Sequence, residues 1–172
     1  MIQELYKDGV LNVIFSDLER ICEPTLQNLF KLMLFPSGNM IRYVVFFRIT
    51  QWARIGKVRK VVVFPIVYLF LRHYEFKYGI HASTRMYIGR GLQIVHGDGV
   101  YLNCNSIGNN FTCFQGVTFG IHRNGIPTVK NGVTVYPNAV IVGGIMIEDE
   151  CVIGAQSYID KDVDAKKIIY QR

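Results

Sequence analysis

The chain has 172 residues, enough for one full domain and a small appendage. Half of them are apolar, including 11 Phe and 10 Tyr, which excludes a disordered chain and supplies material for a sizeable core. The net charge of +6 favours anionic partners such as a nucleotide cofactor, an acidic membrane or an acidic glycan. Nucleic acid is not expected, because no basic stripe interleaved with aromatics accompanies the charge.

The opening MIQELYKDGV lacks the charged-then-apolar layout of a secretion signal. Residues 1–78 read as a helical leader. Asp17, Leu18 and Ile21, then Leu26, Leu29, Phe30, Met33 and Leu34, recur at three-to-four spacing. Pro24-Thr25 marks a helix boundary, and Phe35-Pro36-Ser37-Gly38-Asn39 predicts a stop and turn. A further helix is predicted from about Met40 to Ile55 and another from about Arg59 to Tyr74. The longest apolar run, Val61 to Leu71, is eleven residues with Pro65 inside, too short to span a bilayer. A cytoplasmic location follows, with peripheral membrane contact through the leader as one option. Arg42, Arg48, Arg54, Lys57, Arg59 and Lys60, beside Phe46, Phe47 and Trp52, would suit an interfacial helix. Packing of the same helices against the rest of the chain is the other option.

From residue 79 onward the period changes. Every sixth residue from Val129 is aliphatic: Val135, Ile141, Ile147, Ile153 and Ile159. Four residues after the first five of these stand Val133, Ala139, Ile145, Cys151 and Ser157. An earlier block reads Ile88, Ile94 and Val100, then, after one extra residue, Ile107, Cys113 and Phe119. Six residues supply one short strand and one turn, and three such sides close a triangular coil of 18. The two blocks amount to about four stacked coils of a parallel β-helix. Residues 121–128 (IHRNGIPT) break the register and predict a loop projecting from one corner, where function commonly resides. Cys22, Cys104, Cys113 and Cys151 show no metal-ligand spacing, so reduced structural thiols and no metal are expected.

With YGIHASTRMYIGRGLQIVHGDGV, FQGVTFG and IGAQSYIDKDV in view, residues 79–163 resemble the hexapeptide-repeat acyltransferases, and residues 79–172 are taken as that domain. The similarity is to the serine acetyltransferase branch, including the related O-acetyltransferases of capsule and exopolysaccharide synthesis. The resemblance implies a mainly β fold, a left-handed parallel β-helix, with acetyl-CoA as co-substrate and assembly as a homotrimer. It places the general base on His96, the His of an H-x-x-G segment completed by Gly99. On the acceptor side it points to His81, which would be structural or a pocket wall, with Asp98 and His122 as further contacts. For coenzyme A it points to Gly120, Pro137 and Ala155, where small residues allow close backbone approach. Lys130, Lys161, Lys166 and Lys167 are candidates for its phosphates.

The departures from that pattern bear on the acceptor. Serine acetyltransferases carry an acid immediately before the catalytic His, where this chain has Val95. They carry another before the Ile-His that opens the helix, where this chain has Gly79. Gly125-Ile126-Pro127 stands in place of an Arg-His-Pro segment. Free serine presents an ammonium and a carboxylate, and burying either unpaired is costly. A sugar hydroxyl needs no charge partner, so a glycan acceptor is favoured. Serine O-acetylation remains the alternative, and a trimeric scaffold or membrane-peripheral binding protein is the non-enzymatic one.

Overall fold

The computed structural model describes residues 1–35, 39–122 and 125–170. Five helices come first: α1 (Ile2–Leu5), α2 (Val10–Leu18), α3 (Leu26–Leu34), α4 (Asn39–Ile55) and α5 (Lys57–Tyr78). The Thr25 hydroxyl accepts from the Asn28 N–H at 3.1 Å and caps α3, as the Pro24-Thr25 boundary predicts. Pro36, Ser37 and Gly38 of the predicted turn lie outside the described residues. Helix α5 extends beyond its predicted bounds at both ends. It starts just after Gly56 and stops at Gly79, whose φ of +61° forms a left-handed C-cap.

Fourteen short strands then wind into a left-handed parallel β-helix of five coils. Coil one holds β1 (His81–Ala82), β2 (Tyr87–Ile88) and β3 (Gln93–Ile94). Coil two holds β4 (Tyr101–Leu102), β5 (Ser106–Ile107) and β6 (Thr112–Cys113). Coil three holds β7 (Thr118–Gly120), β8 (Thr128–Val129) and β9 (Thr134–Val135). Coil four holds β10 (Val140–Val142), β11 (Met146–Ile147) and β12 (Val152–Ile153). Coil five holds β13 (Tyr158–Ile159), a single bridge from Val163 to Ile147, and β14 (Ile168–Ile169). Strands of the same side stack in parallel register, giving one sheet per side of the triangle.

Two expectations from the repeat are corrected. The helix has five coils, not about four. The last side steps only from Ile159 to Val163 before reaching Ile169, so it escapes a strict six-residue count. The second correction concerns Val100, which does not continue the column of Ile88 and Ile94. Leu102 pairs with Phe119 and takes that place, whereas Val100 accepts from the His81 N–H just outside the strand. Two extra residues therefore fall between Ile94 and Leu102, and one is missing between Leu102 and Ile107. The rest of the inward pattern holds. Val129, Val135, Ile141, Ile147 and Ile153 are fully buried, and so are Val133, Ala139 and Cys151 in the adjoining column. Along one corner, side-chain oxygens bind the next backbone: Asn109 to the Arg90 N–H (2.9 Å), Asn131 to Asn109 (2.8 Å) and Asp149 to Asn131 (2.8 Å).

The leader and the coils share one hydrophobic core, with Leu18, Val44, Phe47 and Leu71 packed into the same cluster as Ile80, Ile88 and Ile94. At its centre is a buried polar knot. Arg48 meets Asp17 through two bonds (2.7 and 3.1 Å) and donates to the carbonyls of Ile88 (2.7 Å) and Gly89 (2.6 Å). Asp17 also accepts from the Leu92 N–H at 2.7 Å, and Gln51 donates to the Met86 carbonyl at 2.8 Å. Burial works against the charge on Arg48. The facing Asp17 carboxylate outweighs it and holds the guanidinium pKa above its ordinary value. This corrects the interfacial-helix expectation for α4: Arg48 and Phe47 are fully buried, and Trp52 is covered by the Arg59 guanidinium at 4.0 Å.

A second contact seats the corner after β3 on the leader. A Cβ on Gly97 would lie 2.7 Å from Met40 Sδ, 2.9 Å from Ile80 Cδ1 and 3.0 Å from Tyr78 Cβ. The Gly99 N–H donates to the Tyr78 carbonyl at 3.3 Å. Two predictions follow from this docking. Arg48→Met strands the buried Asp17 carboxylate and is expected to cost about 3–5 kcal/mol in urea unfolding, part of which Asp17→Asn/Arg48→Met recovers. Gly97→Val forces the corner off Met40 and Tyr78, and the same measurement should register a loss of about 1–3 kcal/mol.

Candidate functional site

The corner joining β3 to β4 is the first place where the coil departs from six residues per side, and it carries His96. Its backbone is tied on both flanks: the Val95 N–H donates to the Cys113 carbonyl at 2.9 Å, and the Asp98 carbonyl accepts from the Gly116 N–H at 2.9 Å. Gly99 adopts φ +75°, a turn conformation that an L side chain rarely takes. The corner is thus rigid in its main chain while the His96 and Asp98 side chains stand exposed. The His96 ring lies 6.5 Å from that of Phe114, and Phe114 stacks on Tyr136 at 5.1 Å. These rings rise along the corner one coil at a time, because Phe114 and Tyr136 follow Cys113 and Val135 in the same register. They form an aromatic wall beside the histidine.

Other predicted residues divide among the three corners. Asp98, Pro137 and Ala155 share the His96 corner. The Asp98 and Pro137 carbonyls accept from Gly116 and Gln156 N–H groups at equivalent turns of successive coils, and Ala155 stands one coil above Pro137. Gly120 and His122 belong to the next corner, at the far end of the same side. There His122 and Gly125 exchange backbone bonds (3.1 and 3.2 Å). Arg123 and Asn124 of the predicted loop lie outside the described residues. The Asn105 amide ties the loop's base by donating to the Ile126 carbonyl at 3.0 Å. Lys130 stands on the third corner, its N–H bound to the Ile147 carbonyl at 2.9 Å. Lys166 and Lys167 have acidic partners, Glu150 at 3.8 Å and Asp164 at 2.6 Å, and Lys161 is exposed.

His81 opens β1 and faces outward, 5.7 Å from the Tyr101 ring one coil above. Both line a cleft of about 460 Å³ between the first coils and α5, which also takes in Arg54, Arg72, Arg85 and Asn103. Its single lining carboxylate, Glu75, is buried and bound to Arg72 at 2.6 Å. Sequence reasoning passed over this cleft and the aromatic wall. Tyr101 and Asn103, flanking the inward Leu102, and the Arg72–Glu75 pair three apart on α5 were the available signals. Of the cysteines, Cys104, Cys113 and Cys151 are buried, and desolvation pushes the Cys113 thiol up to about 12, so it serves as packing. Among the described residues no three His, Cys, Asp or Glu side chains converge to hold a metal ion.

Comparison with known proteins agrees with this geometry. Residues 127–161 match the family model described as bacterial transferase hexapeptide (six repeats). A serine acetyltransferase of Helicobacter pylori is 36% identical over 90 residues, which cover 49% of this chain and 53% of that one. A protein of Escherichia coli K12 named as a colanic acid biosynthesis acetyltransferase, WcaB, is 28% identical over 128 residues, 72% of this chain and 79% of that one. The chain thus spans about half the length of the serine acetyltransferases it matches in sequence. Among solved structures, a serine acetyltransferase in complex with CoA superposes with a TM-score of 0.70 at 19% identity, covering 95% of this chain and 68% of that one. The Neisseria gonorrhoeae serine acetyltransferase in complex with serine gives 0.68 at 20% identity, covering 99% and 70%. In its repeat and its coils the chain is thus similar to the hexapeptide-repeat transferases, and residues 127–161 match that family's model.

Proposed function

We propose that this protein is an acetyl-CoA-dependent O-acetyltransferase that acts on a sugar hydroxyl in capsule or exopolysaccharide synthesis, with His96 as general base. The observation that carries the proposal is His96 itself, an exposed imidazole on a rigid corner of an otherwise regular coil. In the reaction, a ring nitrogen of His96 takes the proton of the acceptor hydroxyl while its oxygen bonds to the thioester carbonyl carbon. The carbonyl electrons move onto oxygen and then return, breaking the C–S bond. The departing thiolate recovers the proton from the imidazolium, leaving the ester and free CoA.

The Phe114–Tyr136 wall and the small Pro137 and Ala155 suit a pantetheine arm laid along the His96 corner. His96 and the His122 loop stand at opposite ends of one side of the triangle. They would converge only across a boundary between two copies, which supports a homotrimer with sites between subunits. For the acceptor, the cleft beside His81 offers hydroxyl, amide and guanidinium groups that suit a polyol. An ammonium group would find there only Glu75, already held by Arg72. Gly79 caps α5 in a left-handed turn, so an acid there would be strained as well as absent.

Serine O-acetylation is the second reading, favoured by the 36% identity to the Helicobacter pylori serine acetyltransferase. Release of free CoA from acetyl-CoA, followed with serine, nucleotide sugars and glycan repeat units as acceptors, separates the two. Saturable turnover with a sugar acceptor and none with serine is the expected result. His96→Ala should lower that turnover by about two to four orders of magnitude with the unfolding midpoint unchanged. Near-normal transfer by the variant would remove the mechanism.

A further inference from the structure

Helix α5 is unusual for a surface helix. One side packs on α4, where Phe70 and Tyr74 stack on Phe46 at 5.2 and 5.6 Å and Arg54 sits over Phe64 at 4.8 Å. The outward side, which by ordinary amphipathic patterning would be polar, is apolar as well. Val58, Val61, Val62, Ile66, Leu69 and Phe76 are all exposed, and four of them (Val58, Val61, Leu69 and Phe76) exceed 70%. They fall on one side of the helix, with exposed His73 bridging the seven-residue step from Leu69 to Phe76, and span about 27 Å at 1.5 Å per residue. The other exposed residues of α5 are Lys57, Lys60, Pro65, Phe70, His73 and Lys77, so lysines bound the stripe at both ends and no acid interrupts it. An apolar face of this extent on a soluble surface marks a contact site.

Charge identifies the occupant. Residues 40–78 hold eight Lys and Arg against one acid, Glu75; with Arg48 buried on Asp17 and Arg72 paired to Glu75, Arg42, Arg54, Lys57, Arg59, Lys60 and Lys77 leave the hairpin strongly positive. A second copy laid on the stripe would bring a face of the same sign against it. An anionic lipid surface supplies both complements, acyl chains for the stripe and headgroup phosphates for the lysines. No described helix is long and apolar enough to cross a membrane, so the contact is one of lying on the surface. We propose that α5 docks the protein onto an anionic bilayer, its Val58–Phe76 stripe entering the interface with Lys57, Lys60 and Lys77 on the headgroups. This placement is independent of the reaction proposed above and concerns where the protein works.

The test is co-sedimentation of the full chain with vesicles of phosphatidylcholine alone or with about one quarter phosphatidylglycerol. Binding is expected to the mixed vesicles, to fall roughly tenfold or more on pure phosphatidylcholine, and to weaken at high salt. Val61→Glu/Leu69→Glu should abolish it with an unchanged urea midpoint, since both side chains are exposed. Lys57→Glu/Lys60→Glu, which leaves the stripe intact, should reproduce the loss of lipid selectivity. Failure of the wild type to sediment with mixed vesicles, or binding by both variants equal to that of the wild type, would overturn the proposal. So would a solution mass by light scattering that drops in Val61→Glu/Leu69→Glu without lipid, which would assign the stripe to a second copy.

Discussion

Closure of a triangular coil constrains everything else in this molecule. Each side must advance by the same rise so that its strand meets the equivalent strand one coil away, and six residues meet that requirement. The interior is then a set of stacked columns in which every residue touches the one above and below, as Ala82, Leu102, Phe119, Ile141 and Ile159 do along one side. Residues beyond six cannot enter the columns without breaking the register of all later coils. They are expelled at the corners. Both large expulsions, at His96 and at residues 121–127, carry side chains that the core does not need.

The rigidity of those corners would suit the exposed His96 to the general-base role proposed for it. An imidazole on a mobile loop would have to be ordered for each encounter, whereas the corner that carries His96 rests on Tyr78 and Met40 below and is bonded to the Gly116 N–H above. The leader therefore helps to seat the His96 corner, and its Arg54 and Arg72 line the cleft beside His81. Its own position depends on the Asp17–Arg48 pair, which binds carbonyl and N–H groups that the first coil, having no coil beneath it, would otherwise leave unpaired at Ile88, Gly89 and Leu92. The leader thus acts as the terminal cap that a stacked repeat requires. A buried pair of this kind is poor as a source of stability but fixes one docking geometry.

Capping also accounts for the leader's two-faced character. Helix α4 buries its charged Arg48 because the end of the β-helix presents backbone acceptors, and it covers its aromatic residues with α5. Among the described residues no further layer covers helix α5, so its apolar outer side is open to the contact proposed for it.

Much was legible in the sequence because a six-residue repeat is a local rule applied many times. The fold class, the buried columns after Val129 and the break in register after Phe119 follow from counting along the chain, whereas the candidacy of His96 rests on the resemblance of its H-x-x-G segment. Counting failed where the rule was broken. Val100 looked like a column residue because a two-residue insertion and a one-residue deletion nearly cancel, and only the pairing of Leu102 with Phe119 separates them. The charge on Arg48 looked like surface because a sequence cannot show that three acceptors await it from segments 31 to 41 residues away. Which helix face stays apolar and exposed, and which predicted residues share the His96 corner, were likewise decided by tertiary structure. Those are facts about which side of an element lies against another, and burial of that kind is set by contacts far apart in the chain.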